Sequence, residues 1–446
     1  MTALLRALGL LALLALAGCG WRVDAEQARI CRMTLPALNP GETLRIIRTG
    51  PGPGEATVRI DYVVEATDRA PRPRWVVCGF AASGLSARKS ELVRVVTERG
   101  AVSGASLYLM QRYWLETPDA LVADPGGIGD DAALPQVPRS LAYGLQQAVA
   151  GLPKMAIYGL LAAAYALVFG LAGRINLAFG ELAAVGAAGT ATTIALSLAA
   201  PALPPLLAMV FGLIAAMAAA ALYGGVGGYL TIMAVRGRSG QPVLIATVGL
   251  SIALMEALRL TGGTGRFWLP PLWNDVISIA RSGDFVVTTS APALAATGIG
   301  LMAAGALLMA MQLSGFGRAW RACADDSGAA ALLGIDARRV LLVTLAVSGA
   351  LAGLSGFLVV LLFGGFGFAD GFVLGLKALA GAVIGGIGSV PGALLGGILI
   401  GAFEAGWSAT MPIEARDIAL YSALVVFLIF RPGGLFGYGK GIPRSV

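Results

Sequence analysis

The sequence predicts an all-α polytopic membrane protein of about eight or nine transmembrane helices, with a small, mainly β domain at its N-terminus. Hydrophobic residues make up 57% of the 446 residues and charged residues only 13%, and the mean hydropathy is +0.79. Soluble domains contain about 45–50% apolar and about 25% charged residues, so most of this chain is suited to lipid. Long apolar runs begin only after Lys154. The polar segment before Lys154 is therefore a separate domain.

The first 19 residues have the features of a bacterial signal sequence. Arg6 is followed by a short apolar stretch that ends in Leu16-Ala17-Gly18-Cys19. A stretch this short, with small residues at its end, favours a signal sequence over a spanning helix. The last four residues resemble a lipoprotein processing box, which would make Cys19 the lipidated N-terminus. An uncleaved anchor that merely contains a cysteine is the alternative.

Residues 20–150 are predicted to form the periplasmic domain and its linker. Val58, Ile60 and Tyr62 alternate with polar residues, which is the period of a half-buried strand. Residues 43–48 and 75–78 are weaker strand candidates, and residues 105–116 favour a helix. In an oxidising compartment Cys31 and Cys78 are a possible disulfide pair, but the sequence leaves open whether they meet.

Residues 151–446 are predicted to form the transmembrane domain. A spanning helix needs roughly 20 apolar residues, and the third segment contains a glycine run at 224–228 where it is expected to break. Polar interruptions divide the region into nine segments: 155–171, 177–200, 206–235, 243–260, 293–313, 340–363, 372–387, 393–407 and 418–430.

The distribution of Lys and Arg predicts the orientation of these segments. If the first one enters from the periplasm, most basic residues between spans fall on the cytoplasmic side, as the positive-inside rule requires. The N-terminal domain is then periplasmic and the C-terminus cytoplasmic. The cytoplasmic set is Arg174, Arg236, Arg238, Arg318, Arg321, Arg338, Arg339, Arg431, Lys440 and Arg444, against Arg259, Arg266, Arg281 and Arg416 outside.

Composition also excludes several function classes. The formal charge of +7 fits cytoplasmic helix ends, and no basic run interleaved with aromatic residues indicates nucleic-acid binding. The chain contains no histidine, which argues against common zinc and haem sites and against Ser-His-Asp catalysis. Residues 434–440 match most of a phosphate-binding loop motif, but Gly441 stands where the motif requires a Ser or Thr to hold magnesium. We expect no cofactor and no nucleotide site in this chain.

The longest polar interruption assigned to the cytoplasm is residues 315–339. Its pattern predicts one amphipathic helix over 318–333, ended by Gly334. A compact charged element between two spans is suited to docking on a soluble partner. The alternative from the pattern alone is an ordinary interfacial helix.

Four motifs in this order resemble permeases of the branched-chain amino-acid ABC importer family. They are RINLAFGE at 174–181, LIATVGLSI at 244–252, RACADD…ALLGI at 321–335, and the glycine-rich stretch at 375–397. The resemblance covers about residues 158–437 and leaves out the polar N-terminal domain. It differs from the family pattern at Phe179, where relatives have histidine, and at Leu177, where they have phenylalanine. These two differences weaken the expectation for the substrate.

The resemblance implies a transport subunit that works with separate proteins. It implies a second permease subunit, two cytoplasmic ATPase subunits and a periplasmic solute-binding protein, with membrane lipid around the helices. ATP hydrolysis is then expected in the ATPases, to which the coupling motif transmits force. The positions that match or adjoin that motif are Arg318, Arg321, Asp325, Asp326, Leu332, Leu333, Gly334 and Ile335.

Ionisable residues inside lipid are costly, by roughly 2.5–3.5 kcal/mol each, and so suggest a role in function. The candidates for a substrate path are Asn176, Glu181, Glu256, Lys377 and Glu404. Asn176 with Glu181 is the first choice. The alternative is that these side chains pair with other helices or reach the interface.

Small residues at intervals of four favour close helix packing. The predicted packing positions are Gly381, Gly385, Gly388, Gly392 and Gly396. Such a face suits sliding helices in an alternating-access pore and static packing equally well.

The function that the sequence supports is the permease subunit of an ATP-driven importer for branched-chain amino acids or a related small polar solute. The main alternative is a secondary transporter or channel that needs no ATPase, with Glu256 or Glu404 carrying protons. A lipoprotein sensor with a membrane anchor does not require nine spans, and an intramembrane enzyme lacks a nucleophile–base pair.

Overall fold

The computed structural model describes residues 23–66, 69–83, 88–115, 117, 120, 123–125, 134–199, 205–234, 240–263, 265–268, 276–282, 285–386 and 388–436. The predicted signal sequence and Cys19 lie outside the described residues. The chain divides into two compact units. One comprises residues 1–139 with 275–288, and the other comprises 140–274 with 289–446.

The N-terminal unit is built on an antiparallel sheet whose strands follow one another in chain order. The strands are β1 (Thr43–Pro51), β2 (Thr57–Ala66), β3 (Arg69–Phe80), β4 (Leu92–Thr97) and β5 (Gly100–Ala101). The alternation at Val58, Ile60 and Tyr62 points these side chains into the core, where each is at most 2% exposed. The predicted mainly β domain is confirmed, and the weaker strand candidates lie within β1 and β3.

Helix α1 (Ala25–Leu38) packs on the buried face of this sheet. Asp24 starts α1 by accepting hydrogen bonds from Glu26 N and Gln27 N at 2.9 and 3.3 Å. Cys31 on α1 and Cys78 on β3 are joined by a disulfide that links the helix to the sheet. Both cysteines are fully buried in the core of the unit.

Two further elements complete this unit. Helix α2 (Gly104–Met110) continues as a π-helical turn (Gln111–Leu115), in the place where the sequence predicts a helix. The hairpin of β7 (Val276–Ser282) and β8 (Phe285–Ser290) comes from the loop between two membrane helices. Val137 N donates a 2.9 Å hydrogen bond to Arg281 O, so this loop and the end of the N-terminal domain share backbone contacts.

The second unit is helical and carries the membrane spans. Its helices are α3 (Arg139–Ala172), α4 (Phe179–Ala199), α5 (Pro205–Leu222), α6 (Gly228–Ala234), α7 (Gly240–Gly262), α8 (Ala291–Leu313), α9 (Gly315–Asp325), α10 (Ser327–Leu332), α11 (Ala337–Phe363), α12 (Asp370–Gly385), α13 (Val390–Thr410) and α14 (Arg416–Phe430). Within the described residues, each of the nine predicted apolar segments is mainly helical. Within the described residues, seven continuous helices are long and apolar enough to cross a membrane.

Two of the nine segments differ in length from a full span. α12 has 16 residues and α14 has 15, which at about 1.5 Å per residue gives roughly 24 and 22 Å, less than a hydrocarbon core of about 30 Å. The first span is longer than predicted, because α3 begins at Arg139 and continues through Pro153 for 34 residues. The prediction of a polytopic helical domain is confirmed.

The third predicted segment remains helical at its glycine run, where the sequence analysis expected the helix to break. Residues 223–227 form a π-helical turn between α5 and α6. A side chain on Gly224 would contact Gly349 and the carbonyl oxygen of Leu345, both on α11. The glycine run therefore permits close packing, and the extra residue of the π turn shifts the helical register there.

Glycines also set the contact between α12 and α13. A side chain on Gly381 would lie 2.9 Å from the Cα of Gly397, and Gly385 and Gly396 face backbone atoms of the opposite helix as closely. Gly392 faces Gly385 in return. Four of the five predicted packing glycines thus lie in this contact, as small-residue packing requires.

The prediction for Gly388 is wrong. Gly388 lies in the turn between α12 and α13, with φ at +96° and no neighbouring atom within 4 Å of where a side chain would begin. Its role is conformational, because a left-handed backbone favours glycine. The four-residue spacing placed it on the packing face only under the assumption of a continuous helix.

Candidate functional site

The segment between α8 and α11 forms two short helices instead of the single helix predicted over 318–333. Asp326 has an extended backbone, and its carboxylate accepts hydrogen bonds from Gly328 N and Ala329 N at 2.8 and 3.1 Å. This capping ends α9 and starts α10. Gly334, with φ at +83°, then ends α10. We call residues 315–335 the coupling element.

One face of the coupling element is fixed to the membrane helices. Trp320 Nε1 donates a 3.1 Å hydrogen bond to Leu167 O near the end of α3, and Arg321 donates to Met311 O of α8. Trp320, Cys323 and Ala330 are buried in a shared apolar cluster with residues of α3, α8 and α11. α9 is therefore hydrogen-bonded to two spans, α3 and α8.

The opposite face of the coupling element ends in two exposed leucines. Leu332 is 91% exposed and Leu333 is 80% exposed. Single exposed apolar residues are common on any surface, but two adjacent leucines at the tip of a rigidly held helix are suited to anchoring a partner. Asp325 and Arg318 are exposed as well, whereas Ile335 is half-buried in an apolar cluster with residues of the spans.

A series of polar contacts runs along α4 and α7 into the membrane unit. Asn176 Oδ1 accepts from Ala178 N at 3.0 Å, just before α4 begins. One turn further, the Oγ of Ser251 on α7 donates a 3.2 Å hydrogen bond to Oε1 of Glu181. Thr247, one turn below Ser251, accepts from Leu177 N at 3.4 Å. We call Asn176, Thr247, Ser251 and Glu181 the polar seam.

Glu181 occupies the meeting point of two helix N-termini. Its side chain is fully buried, and its Oε2 has no hydrogen-bond partner among the described residues. The first turn of α4 meets the first turn of α12 there, with Gly180 packed against the backbone of Gly371 and Gly375. The partial positive charge of helix N-termini stabilises a carboxylate in such a place. Asn176 and Glu181, paired in the prediction, therefore lie along one seam.

Lys377 and Glu404 belong to a different cluster, between α12 and α13. Their side chains form an ion pair and are 5% and 1% exposed. Tyr158 OH donates a 3.2 Å hydrogen bond to Glu404 Oε2, and Lys377 Nζ lies 5.5 Å from the centroid of the Tyr158 ring. At the edge of the cluster, Asp417 lies 3.4 Å from Lys377, and Arg416 lies 3.9 Å from Glu404.

Glu256 joins neither group. It pairs with Arg259 one turn along α7, and both side chains are about two-fifths exposed. The five predicted path residues are therefore distributed over three places. The sequence analysis did not identify Ser251, Thr247, Tyr158 and Asp417. Hydroxyl side chains, and a carboxylate at the membrane interface, form no sequence pattern that would single them out.

Phe179 fills the position where the resembled family has histidine. It is 1% exposed, and its ring meets that of Tyr165 edge-to-face with centroids 5.3 Å apart. Tyr165 OH also accepts a hydrogen bond from Asn176 N at 3.2 Å. Phe179 therefore places an apolar side chain at the start of the polar seam and supplies no titratable group there.

Between the seam and the coupling element lies a cavity of about 90 Å³. Asn176 and Thr247 form part of one wall, and Cys323 and Ser327 of the coupling element form part of the other. Among the described residues, no three His, Cys, Asp or Glu side chains are grouped as a metal site would require. Residues of the polar seam and of the coupling element thus line the same cavity.

Comparison with known proteins places the membrane unit in one family. Residues 147–430 match the profile described as branched-chain amino acid transport system / permease component. The chain is 33% identical over 295 residues to LivH, a high-affinity branched-chain amino acid transport system permease protein, of Escherichia coli K12 and of Salmonella typhimurium LT2. Each alignment covers 66% of this chain and 96% of the relative.

BraD of Pseudomonas aeruginosa PAO1, with the same description, is 31% identical over 299 residues, which is 66% of this chain and 95% of that protein. No solved structure matches significantly. The matched region begins within α3 and leaves out the N-terminal sheet, so the added domain has no counterpart in these relatives. The profile covers most of the membrane unit, and the chain belongs to the family of branched-chain amino-acid transport permeases.

Proposed function

We propose that this chain is the permease subunit of an ATP-driven importer in the inner membrane that carries branched-chain amino acids or a related small polar solute. A second permease completes the pore, two ATPases dock below it, and a periplasmic binding protein delivers the solute. The observation that carries the proposal is the coupling element, rigidly held on one side and presenting Leu332 and Leu333 on the other.

The two ends of the membrane unit support the proposed orientation. Strand β6 (Phe267–Trp268) follows α7 and pairs with β9 (Gly365–Phe366), which follows α11. These loops thus share one end of the unit, and the sequence assigns both to the periplasm. The coupling element follows α8 and precedes α11, so it lies at the other end. The N-terminal domain is then periplasmic, where its disulfide is expected to persist.

The polar seam is the proposed substrate path within this subunit. A zwitterion that leaves water needs polar partners for its charged groups. The Oε2 of Glu181 has no hydrogen-bond partner among the described residues, which leaves it free to accept one from an ammonium group. Ser251 and Thr247 offer hydroxyls along the same line.

The structure gives less support to an ATPase-independent transporter. That alternative needs Glu256 or Glu404 to exchange protons during transport. Each of these carboxylates instead has a cation close by, Arg259 for Glu256 and Lys377 for Glu404. Both carboxylates are thus engaged in contacts within this chain.

Uptake by the reconstituted transporter tests the proposal. Proteoliposomes that contain this chain with its permease partner, its binding protein and the ATPases encoded beside it are supplied with radiolabelled leucine and ATP. We expect uptake only when the ATPases and ATP are both present. Equal uptake without ATPase, driven by a proton gradient, would favour the secondary transporter instead.

A further inference from the structure

The last residues before α3 form a third strand beside the hairpin of β7 and β8. Val137 N donates a 2.9 Å hydrogen bond to Arg281 O, and Arg281 N donates a 3.1 Å hydrogen bond to Pro135 O. Gln136 and Arg281 are thus paired in parallel. A two-stranded hairpin is only marginally stable on its own, so the added strand stabilises it. We call residues 134–138 together with β7 and β8 the clamp.

The strands of the clamp come from two distant parts of the chain. Residues 134–138 end the segment that precedes the spans, whereas β7 and β8 lie in the loop between α7 and α8. Ala280 on β7 and Val287 on β8 are 2% and 0% exposed, so the hairpin is packed and is not a free loop. The end of the domain that the matched relatives lack is therefore bonded to a loop that joins two membrane helices.

Two membrane helices begin where strands of the clamp end. α3 begins at Arg139, directly after residues 134–138, and α8 begins at Ala291, directly after β8. Ser290, the last residue of β8, also caps α8, because its Oγ accepts a 3.3 Å hydrogen bond from Ala293 N. No residue separates either strand from its helix, so the clamp constrains the first residues of both α3 and α8.

The same two helices hold the coupling element near their other ends. α9 is hydrogen-bonded to Leu167 O of α3 and to Met311 O of α8. Between these ends the two helices are in contact, since a side chain on Gly300 of α8 would lie 3.1 Å from the Cβ of Ala156 on α3. A shift of α8 relative to α3 would therefore strain or break one of the hydrogen bonds that hold α9.

We propose that the clamp restrains the coupling element from the opposite ends of α3 and α8. The clamp fixes the start of α8 relative to the start of α3, and the two helices in turn hold α9. The segment before α3 thereby has a role beyond linking two domains, because it supplies the strand that closes the clamp. The restraint is a property of this chain alone. Its consequence for ATP hydrolysis rests on the proposed function, because it requires an ATPase bound to the coupling element.

Proline substitutions in the linker strand separate the clamp from the hairpin itself. Val137→Pro removes the N–H that bonds to Arg281 O. Gln136→Pro is the matched control, because the N–H that it removes makes no hydrogen bond among the described residues. Hydrogen exchange of the full chain in nanodiscs is followed by mass spectrometry at residues 315–325, which form α9.

We expect Val137→Pro to raise the exchange rate of α9 at least about threefold, because helices that are less restrained open more often. Gln136→Pro should leave that rate unchanged. Equal exchange of α9 in the two variants would overturn the proposal. A rise confined to residues 276–290 would also overturn it, because the clamp would then act only on its own hairpin.

A cross-link tests the same restraint by rescue. Gln136→Cys and Arg281→Cys place cysteines at paired positions, and both are added to Val137→Pro, with the disulfide verified by mass spectrometry. The cross-linked protein should exchange at α9 at the wild-type rate. The same protein with Arg281→Ser in place of Arg281→Cys cannot form the bond and should keep the faster exchange. Equal exchange of α9 with and without the cross-link would contradict the restraint.

Assembly with the ATPase subunits separates this proposal from the proposed function. In the complete transporter, Val137→Pro should raise ATP hydrolysis in the absence of solute at least about twofold relative to Gln136→Pro, because a less restrained coupling element reaches its active arrangement more often. Unchanged hydrolysis would overturn the role of the clamp in coupling. If no ATPase associates with any of these proteins, the proposed function fails, while the exchange of α9 in the isolated chain still decides whether the clamp acts.

Discussion

Replacing both Leu332 and Leu333 with aspartate is expected to abolish ATP-driven uptake while the protein still folds and inserts. Both side chains are almost fully exposed, so the substitution should change stability by no more than about 0.5 kcal/mol per site. An apolar anchor buried at an interface, in contrast, commonly contributes 2 kcal/mol or more to binding, which is roughly a 30-fold change in affinity. The two aspartate carboxylates would also lose their hydration when a partner covers them, which opposes binding.

The measurement combines uptake with co-purification of the ATPase subunits. Leu332→Met with Leu333→Met keeps an apolar tip and should retain both properties. Asp326→Ala would be a poor choice for this test, because Asp326 caps α10 and its loss would change the helix itself. Coupled uptake that survives in the double aspartate variant would rule out the tip as the docking anchor.

The second large effect is expected at the buried ion pair of Lys377 and Glu404. Lys377→Met leaves Glu404 in the bundle without its main partner, and removing one member of a buried pair costs about 3–5 kcal/mol. Glu404→Gln should cost a similar amount, since among the described residues Lys377 then keeps Asp417 at 3.4 Å and the Tyr158 ring. Thermal unfolding of the purified protein in detergent measures both.

The double variant Lys377→Met with Glu404→Gln is the decisive comparison. It removes both buried charges and leaves Arg416 and Asp417 paired at 3.5 Å, so we expect it to recover most of the lost stability. Arg259→Met is the matched control, because it breaks an exposed pair and should change the unfolding temperature little. If the double variant is as unstable as the two single variants combined, the pair does not act as a unit.

Much of the membrane unit was predictable because apolar length and glycine spacing are simple patterns. The limits of that information appear at Gly388. A periodic pattern shows which residues share a face only where the chain is one continuous helix, and α12 ends at Gly385. Nothing in the spacing itself marks that end.

The coupling element shows a similar limit. Composition predicted an amphipathic helix, but its division at Asp326 depends on side-chain capping that competes with helix continuation. Helix α1 was not predicted at all, since Pro36 and scattered polar residues conceal its buried face.

The candidate site was predictable in its residues but not in its grouping. Glu181, Lys377 and Glu404 were identified because charges in lipid are rare. Their separation into a seam and an ion-pair cluster depends on which helices are neighbours in the bundle. The cavity was not predictable, because its walls come from six helices in separate parts of the chain.

The location of Leu333 tests the central claim most directly. Leu333→Cys in a Cys323→Ser background is treated with a membrane-impermeant maleimide in sealed vesicles, and labelling at position 333 is read by mass spectrometry. We expect labelling in inverted vesicles only, and loss of that labelling when the ATPase subunits are bound. Labelling in right-side-out vesicles would place the coupling element outside the cell and contradict the account.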